Sequence, residues 1–278
     1  MTKTTLEQFR AELLATGGYQ TPPERLAPQV RKPGRLTTLG FVWSVLSVFV
    51  RSSIAEWRGV LNTDLWAKFC FYAVQKAESY GTKVWAEGWN NRRDYKGPVV
   101  YLANHMSTTE TTMLPFVLLT FGPFSTVVKK SIMEIPGLGK SAAHMGLVPI
   151  GRTNPREDLM TIFNVCGDRI RNEQHSVLIF AQGTRVPVFA RKGWSSIGAK
   201  LAEKTGVPVV PVAIKTDIML THPENKGFSK DFGTVDPSKD IRMACGPVLT
   251  GSAREMNQAA FDWIATKLEE WNMPVERS

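Results

Sequence analysis

The sequence predicts an α/β fold in which a central, mostly parallel or mixed sheet is flanked by helices. From Lys83 onward, short apolar runs alternate with segments whose apolar residues recur at helical spacing, and this alternation is typical of layered α/β proteins. Several of these runs end in polar clusters. The chain has 278 residues, of which 43% are hydrophobic, so it is long and apolar enough to form a large core.

Seven apolar runs have the length and composition of buried strands. In chain order they cover residues 84–86, 99–103, 126–129, 146–150, 177–180, 207–214 and 241–245. The helices of this region are predicted to begin near Ser107 and to cover about 156–172, 194–205 and 255–271. Ser107 is expected to cap its helix, with Glu110 as the acidic residue of a capping box.

The first 82 residues are predicted to form a separate part of the molecule, before an α/β domain at 83–278. Residues 1–35 combine a short helical pattern with a proline-rich basic stretch, so we expect a loosely ordered arm. Residues 36–82 should hold two membrane-associated helices. The apolar stretch 36–50 is shorter than the roughly 20 residues that a spanning helix needs, which favours a buried or interfacial helix. Four aromatic residues suit an interfacial anchor: Trp43, Phe49, Trp57 and Trp66.

The formal net charge is +9 and the isoelectric point is about 9.5. Such a charge is compatible with simple solubility, with nucleic-acid binding or with an anionic membrane surface. The sequence has no nucleic-acid-binding signature, and its basic residues flank apolar, tryptophan-rich stretches, which favours the membrane surface. The first 15 residues are polar, so no cleavable signal peptide is expected. The cysteines, at positions 70, 166 and 245, lack metal-ligand spacing, which predicts a reducing compartment and no metal site.

His105 stands at the exit of a predicted strand, and Glu110 follows five positions later. A neutral imidazole is well suited to take a proton from an alcohol near pH 7, and a carboxylate at its other ring nitrogen would fix the tautomer. With no protein nucleophile in this pattern, the nucleophile would be a hydroxyl of the substrate. Taken alone, the pair is more simply interpreted as a strand-end histidine near a solvated glutamate.

Two further polar clusters strengthen the catalytic interpretation of His105. They cover residues 151–152 and 182–185, and each follows a predicted strand. Ligands of open α/β sheets bind at the carboxyl ends of the strands. The three clusters should therefore converge on one crevice.

Taken in order, these clusters resemble the motifs of the glycerolipid acyltransferase family, the 1-acylglycerol-3-phosphate acyltransferases and their relatives. The family motifs are N-H-x4-D, a segment ending in Gly/Asp-Arg, F-P-E-G-T-R, F-x-x-K-G and V-P-[IV]-[VI]-P-V. Their counterparts here are residues 104–110, 148–152, 180–185, 189–193 and 207–212. Order and spacing agree over residues 99–214, with a continuation to about 250. The N-terminal helices resemble, in character, the membrane-binding helical pair of bacterial relatives.

The resemblance implies a role for most of these positions. His105 would take the proton of a lipid hydroxyl and later protonate the thiolate leaving group, while Glu110 orients the imidazole. Arg152 and Arg185 would hold the phosphate of the acceptor, because a guanidinium can bind two oxygens at once; surface salt bridges are the alternative. Gly183 would let the backbone approach the ligand closely.

Three other positions complete the predicted substrate-binding set. Lys192 has two equally supported interpretations: it would bind phosphate, or it would stand at the solvated start of a helix. Thr184 is expected to act as a turn or cap residue beside the ligand. Gln182 stands where the family has Glu and Ala181 where it has Pro, while Glu110 replaces a family Asp and keeps the carboxylate. We interpret Gln182 as a sign of altered head-group selectivity.

The leading hypothesis is a membrane-associated acyltransferase on the cytoplasmic face. It would move an acyl chain from acyl-CoA or acyl-carrier protein to a lysolipid hydroxyl, with 1-acylglycerol-3-phosphate giving phosphatidate as the first choice. A lyso-ornithine or other aminolipid is the alternative acceptor. No metal and no further cofactor are expected, and nucleic acid is not an expected partner. A non-catalytic lipid-binding protein on the same fold is the second hypothesis, although such a protein has no reason to keep His105 and both arginines.

Overall fold

The structure is a computed structural model that describes residues 4–134, 141–142, 144–219 and 232–278. Within these residues, eight strands form one mixed sheet in the order β1-β2-β9-β8-β3-β6-β4-β5, and β7 pairs with β10 in a second, two-stranded sheet. The strands are β1 (Tyr19–Gln20), β2 (Val84–Glu87), β3 (Val100–Ala103), β4 (Phe124–Lys129), β5 (Leu147–Ile150), β6 (Ser176–Phe180), β7 (Phe189–Ala190), β8 (Val209–Lys215), β9 (Ile241–Cys245) and β10 (Val275–Glu276).

Five neighbouring strands, β8, β3, β6, β4 and β5, run parallel to one another. Strand β9 pairs antiparallel with β8, and β1 pairs antiparallel with β2. The central strands β3 and β8 are buried along their whole length, as parallel strands covered on both faces usually are. The prediction of a layered, mixed sheet is confirmed, and each predicted strand lies within two residues of its observed bounds.

Helices cover both faces of the sheet. They are α1 (Leu6–Thr16), α2 (Arg35–Trp57), α3 (Thr63–Glu78), α4 (Asn90–Asp94), α5 (Glu110–Leu118), α6 (Pro155–Thr161), α7 (Gly167–Glu173), α8 (Ile197–Thr205) and α9 (Ala253–Glu270). One hydrophobic cluster joins α1, α2, α3 and α5 to one face of the sheet. A second cluster joins α7, α8 and α9 to the other face. The sheet is therefore the middle layer between two cores.

Helix α1 packs into the first of these cores. A reciprocal capping box between Thr5 and Gln8 begins the helix, and Leu6, Phe9 and Leu13 are buried. The ring of Phe9 lies 5.1 Å from that of Phe116, in α5. This packing corrects the expectation of a loosely ordered arm for Leu6–Thr16, because three apolar side chains at helical spacing secure that segment. The three-part division of the chain stays a prediction.

Helix α2 is longer than the apolar stretch from which it was predicted, because the helix continues past position 50 to Trp57. By length and composition it could cross a membrane, a criterion that core helices of soluble proteins also meet. One of its faces is buried against the protein, whereas Leu36, Leu39 and Trp43 are exposed on the other and Trp57 is 84% exposed. Trp66, which the sequence suggested as an interfacial anchor, is instead 4% exposed and stacks on Phe124.

Glu78, the last residue of α3, is a buried carboxylate that joins α3 to the N-terminal segment. It accepts hydrogen bonds from the hydroxyls of Tyr19 at 2.6 Å, Thr21 at 3.1 Å and Thr4 at 3.2 Å. Burial raises the pKa of the Glu78 carboxyl above its usual range, and the three hydroxyls and nearby Arg25 only partly oppose this. The native state therefore holds this proton more tightly than the unfolded chain does.

We expect the free energy of unfolding to fall as the pH rises from 4.5, the ordinary pKa of this group, through the raised pKa of Glu78. The contribution of a raised pKa is fully present below the ordinary value and is lost above the native one. Glu78→Gln should remove this part of the pH dependence. Denaturant unfolding at a series of pH values measures it, with the exposed Glu24→Gln as a control that should keep the parent slope. An unchanged slope in Glu78→Gln would contradict the prediction.

Candidate active site

His105 and Glu110 are in direct contact at the carboxyl end of β3. The imidazole Nδ1 is hydrogen-bonded to Glu110 Oε2. The side chain of His105 is 15% exposed and that of Glu110 is fully buried, because the loop between β3 and α5 covers the carboxylate. The imidazole therefore uses Nδ1 for its contact with a buried carboxylate. Its other nitrogen, Nε2, forms no hydrogen bond within the described part of the chain.

The other carboxylate oxygen of Glu110 is fully engaged. Its Oε1 accepts hydrogen bonds from the backbone N–H groups of Met106 and Ser107, both at 2.9 Å, and from the hydroxyl of Thr216 at 2.7 Å. Ser107 Oγ in turn accepts the backbone N–H of Thr109 at 3.2 Å. One bond of the predicted capping box is thus present, from the N–H of Ser107 to Glu110, whereas the Ser107 hydroxyl accepts the N–H of Thr109 rather than that of Glu110, and the regular helix begins only at Glu110. Three donors compensate the burial of this oxygen.

Contacts on both sides fix the position of His105. The ring of Phe180 stacks on the imidazole at 4.1 Å between centroids. The backbone N–H of His105 donates to Gln182 Oε1 at 3.2 Å. The side-chain amide of Asn104 bonds both backbone groups of Ile214 at 2.8 Å, which joins the ends of β3 and β8. Strand pairing and these bonds hold the imidazole in one place.

Arg185 reaches the same loop from the end of β6. Its guanidinium donates a hydrogen bond to Thr108 Oγ1, within the segment that separates His105 from Glu110. Gly183 makes the intervening turn with φ +67°, in the left-handed region that glycine adopts readily, and its N–H donates to the carbonyl of Phe180 at 3.0 Å. The structure thus places a guanidinium beside the His105–Glu110 pair.

Arg152, Thr184 and Lys192 are not in contact with that pair. Arg152 follows β5, which β6 and β4 separate from β3, so the two strand ends lie roughly 14 Å apart over three strand spacings. Arg152 is exposed and has a φ of +60°. Its backbone N–H donates a hydrogen bond to the carboxylate of Asp158 at 2.8 Å. Thr184 is exposed in the turn after β6, and Lys192 is exposed beyond β7. The substrate-binding roles of these three residues stay predictions.

The structure adds residues that sequence reasoning did not select. Thr216 follows β8 and touches Glu110, Phe180 stacks on His105, and Thr108 meets Arg185. Lys129 and Lys130 are exposed at the end of β4, on the sheet edge between Arg185 and Arg152. A strand-end position was the available signal for these residues, since Lys129 ends a predicted strand, Lys130 directly follows it, and Thr216 lies two residues beyond the predicted strand 207–214.

Comparison with known proteins agrees with this arrangement. The family model described as Acyltransferase matches residues 81–215. The chain is 28% identical over 244 residues to a 1-acyl-sn-glycerol-3-phosphate acyltransferase of Pseudomonas aeruginosa, covering 84% of this chain and 88% of that one. It is 32% identical over 152 residues to the chloroplastic 1-acyl-sn-glycerol-3-phosphate acyltransferase BAT2 of Brassica napus, covering 54% of this chain and 40% of that one.

The fold is also similar to a solved structure. The crystal structure of the 1-acyl-sn-glycerophosphate (LPA) acyltransferase PlsC from Thermotoga maritima matches with a TM-score of 0.60 and 20% identity, covering 85% of this chain and 95% of that one. At this identity the likeness concerns the fold alone. The matched family model and the similarity to these relatives identify residues 81–215 as an acyltransferase domain of the glycerolipid acyltransferase type.

Proposed function

We propose that this chain moves a fatty acyl chain from acyl-CoA or acyl-carrier protein to the hydroxyl of a lysophospholipid, with 1-acylglycerol-3-phosphate as acceptor and phosphatidate as product. The observation that carries the proposal is the His105–Glu110 contact at the carboxyl edge of the sheet, with Nε2 of the imidazole forming no hydrogen bond to the described residues and Arg185 beside it. The names of the Pseudomonas and Brassica relatives support this choice of acceptor.

In the proposed reaction, His105 Nε2 accepts the proton of the acceptor hydroxyl while that oxygen attacks the carbonyl carbon of the thioester. The new C–O bond forms, the C–S bond breaks, and the imidazolium returns the proton to the departing thiolate. Glu110 keeps the Nδ1 proton in place and stabilises the imidazolium between the two transfers. Arg185 holds an oxygen of the acceptor's phosphate, and the exposed Arg152 and Lys192 extend the basic surface.

The proposed site of action is the cytoplasmic face of a membrane. The exposed face of α2 carries Leu36, Leu39, Trp43 and Trp57, and a helix with an exposed apolar and aromatic face suits a lipid interface. The net charge of +9 favours an anionic surface. This placement would bring the donor and a membrane-bound acceptor to the same enzyme.

Acyl transfer by the detergent-purified protein tests the proposal. Acyl-CoA and acyl-carrier protein would be offered as donors against a panel of lysophosphatidate, other lysophospholipids and lyso-ornithine lipid, with the acylated product measured directly. Phosphatidate formed faster than any other product is the expected result. A folded, vesicle-binding protein that transfers to none of the acceptors would instead favour a non-catalytic lipid-binding protein.

A lyso-aminolipid is the second candidate acceptor, because the neutral amide of Gln182 replaces a carboxylate of the family pattern beside the site and so changes its head-group selectivity. In Gln182→Glu one carboxylate oxygen can keep the bond to the backbone N–H of His105, and the other adds negative charge. We expect the kcat/KM for a cationic lyso-aminolipid, divided by the kcat/KM for the phosphate monoester, to rise about tenfold. The exposed Gln20→Glu, in β1 at the far edge of the sheet, is the control. An unchanged acceptor preference would refute the proposed role of Gln182.

A further inference from the structure

We infer that Thr216 is a positioning residue for the catalytic pair, and that its hydroxyl is what allows a glutamate, one methylene longer than the aspartate of the family pattern, to orient His105. The inference rests on the proposed function. It is carried by the hydrogen bond of 2.7 Å from Thr216 Oγ1 to Glu110 Oε1, between residues that are 106 positions apart in the chain.

The place of Thr216 is fixed by the sheet. It directly follows β8, which lies beside β3, and Val212 pairs with Ala103 at the ends of the two strands. The amide of Asn104 bonds both backbone groups of Ile214 at 2.8 Å. The backbone N–H of Thr216 also faces the sulfur of Met106 at 3.3 Å. The hydroxyl therefore approaches Glu110 from a rigid neighbouring strand.

The direction of the hydrogen bonds follows from the chemistry of the groups. Glu110 Oε1 already accepts two backbone N–H groups, so the single proton of the Thr216 hydroxyl is the one donated to it. Ser107 Oγ lies 2.8 Å from Thr216 Oγ1 and must then be the donor to it. All three side chains are fully buried, so water does not replace a missing partner. The hydrogen bonds therefore run from Ser107 to Thr216 to Glu110 Oε1, while Glu110 Oε2 accepts the Nδ1–H of His105 from the other side.

The segment that carries each donor to Glu110 Oε1 explains why the Thr216 hydroxyl is needed when a glutamate orients His105. The N–H groups of Met106 and Ser107 belong to the same loop as His105, so they move with the histidine. Of the three donors to Oε1, Thr216 is the one that lies outside this loop, directly after the neighbouring strand β8. A glutamate has an additional side-chain torsion, and a fixed external donor restricts it so that Oε2 faces Nδ1 of His105. An aspartate at this position would be too short to reach both Thr216 and His105 in the same way.

Thr216→Val tests the inference because valine keeps the shape and removes the hydroxyl. We expect kcat to fall about ten- to hundredfold, the usual loss for one hydrogen bond to a charged group, with KM for both substrates nearly unchanged. Thr216→Ser keeps the hydroxyl and should retain most of kcat. The matched control is Thr109→Val, since the hydroxyl of Thr109 is also buried but has no hydrogen-bond partner within the described residues.

The background of Glu110→Asp separates a specific coupling from general damage. Because the shorter carboxylate would not use Thr216, adding Thr216→Val to Glu110→Asp should change kcat little. An equal loss of kcat in both backgrounds, or a Thr216→Val protein that is less stable but keeps full kcat, would overturn the inference.

A measurement without turnover keeps this inference distinct from the proposed function. The chain has four histidines, so the proton NMR signal of the His105 Nδ1–H can be assigned by its loss in His105→Ala. Thr216→Val should shift or broaden this signal, whereas Thr109→Val should leave it unchanged. An inactive parent protein would refute the proposed function, and an unshifted signal in Thr216→Val would refute the role of Thr216.

Discussion

Replacing His105 with alanine should lower kcat for acyl transfer by about 10² to 10⁴, the range that general acid–base catalysis by a positioned side chain contributes. Both proposed proton transfers use the imidazole Nε2, which forms no hydrogen bond within the described part of the chain. KM should change little, because the residues proposed to bind phosphate are left in place. Initial rates over a range of acceptor concentrations separate the two parameters.

A second histidine provides the matched control for this prediction. His144 is 47% exposed and pairs with Glu56 at 3.2 Å, in a contact with α2 rather than with the catalytic pair. His144→Ala should therefore keep most of the parent rate. Thermal unfolding of both variants shows whether either change disturbs the fold. A folded His105→Ala protein with more than about a tenth of the parent kcat would exclude His105 as the general base.

The sheet could be predicted from the sequence because its strands are buried on both faces. A central parallel strand such as β3 is a continuous apolar run, and the polar residues that follow it mark its end. The same reasoning located His105 and the turn after β6, since the carboxyl ends of parallel strands share one edge. Local pattern was sufficient there because burial and strand ends are local properties of the chain.

Contacts between distant segments were not predictable in the same way. Nothing local indicates that Thr216 bonds Glu110, since the pairing of β8 with β3 creates that contact. The burial of α1 was missed for a similar reason, because its partner Phe116 lies in α5, more than 100 positions away. Trp66 was misplaced because an aromatic side chain suits a core and a membrane interface equally well until its neighbour, Phe124, is known.

Glu110→Gln should also reduce kcat by about 10² to 10⁴, although it preserves the size of the side chain. The carboxylate accepts hydrogen bonds through both oxygens, three at Oε1 and one from the imidazole at Oε2. An amide has one oxygen, so its NH₂ must face either Nδ1–H or the three other donors. In the first orientation the imidazole is driven to the wrong tautomer, and in the second the buried donors lose their acceptor.

The two orientations predict different accompanying losses, so stability and rate should be measured together. Donors left without an acceptor would lower the free energy of unfolding by about 1 to 3 kcal/mol, whereas a changed tautomer alone would leave it nearly unaltered. Denaturant unfolding distinguishes these cases, with the exposed Glu24→Gln as control. Because Glu110 is proposed to act through His105, adding Glu110→Gln to His105→Ala should lower kcat little further. A full second loss in the double variant would mean that Glu110 acts on the substrate independently of the imidazole.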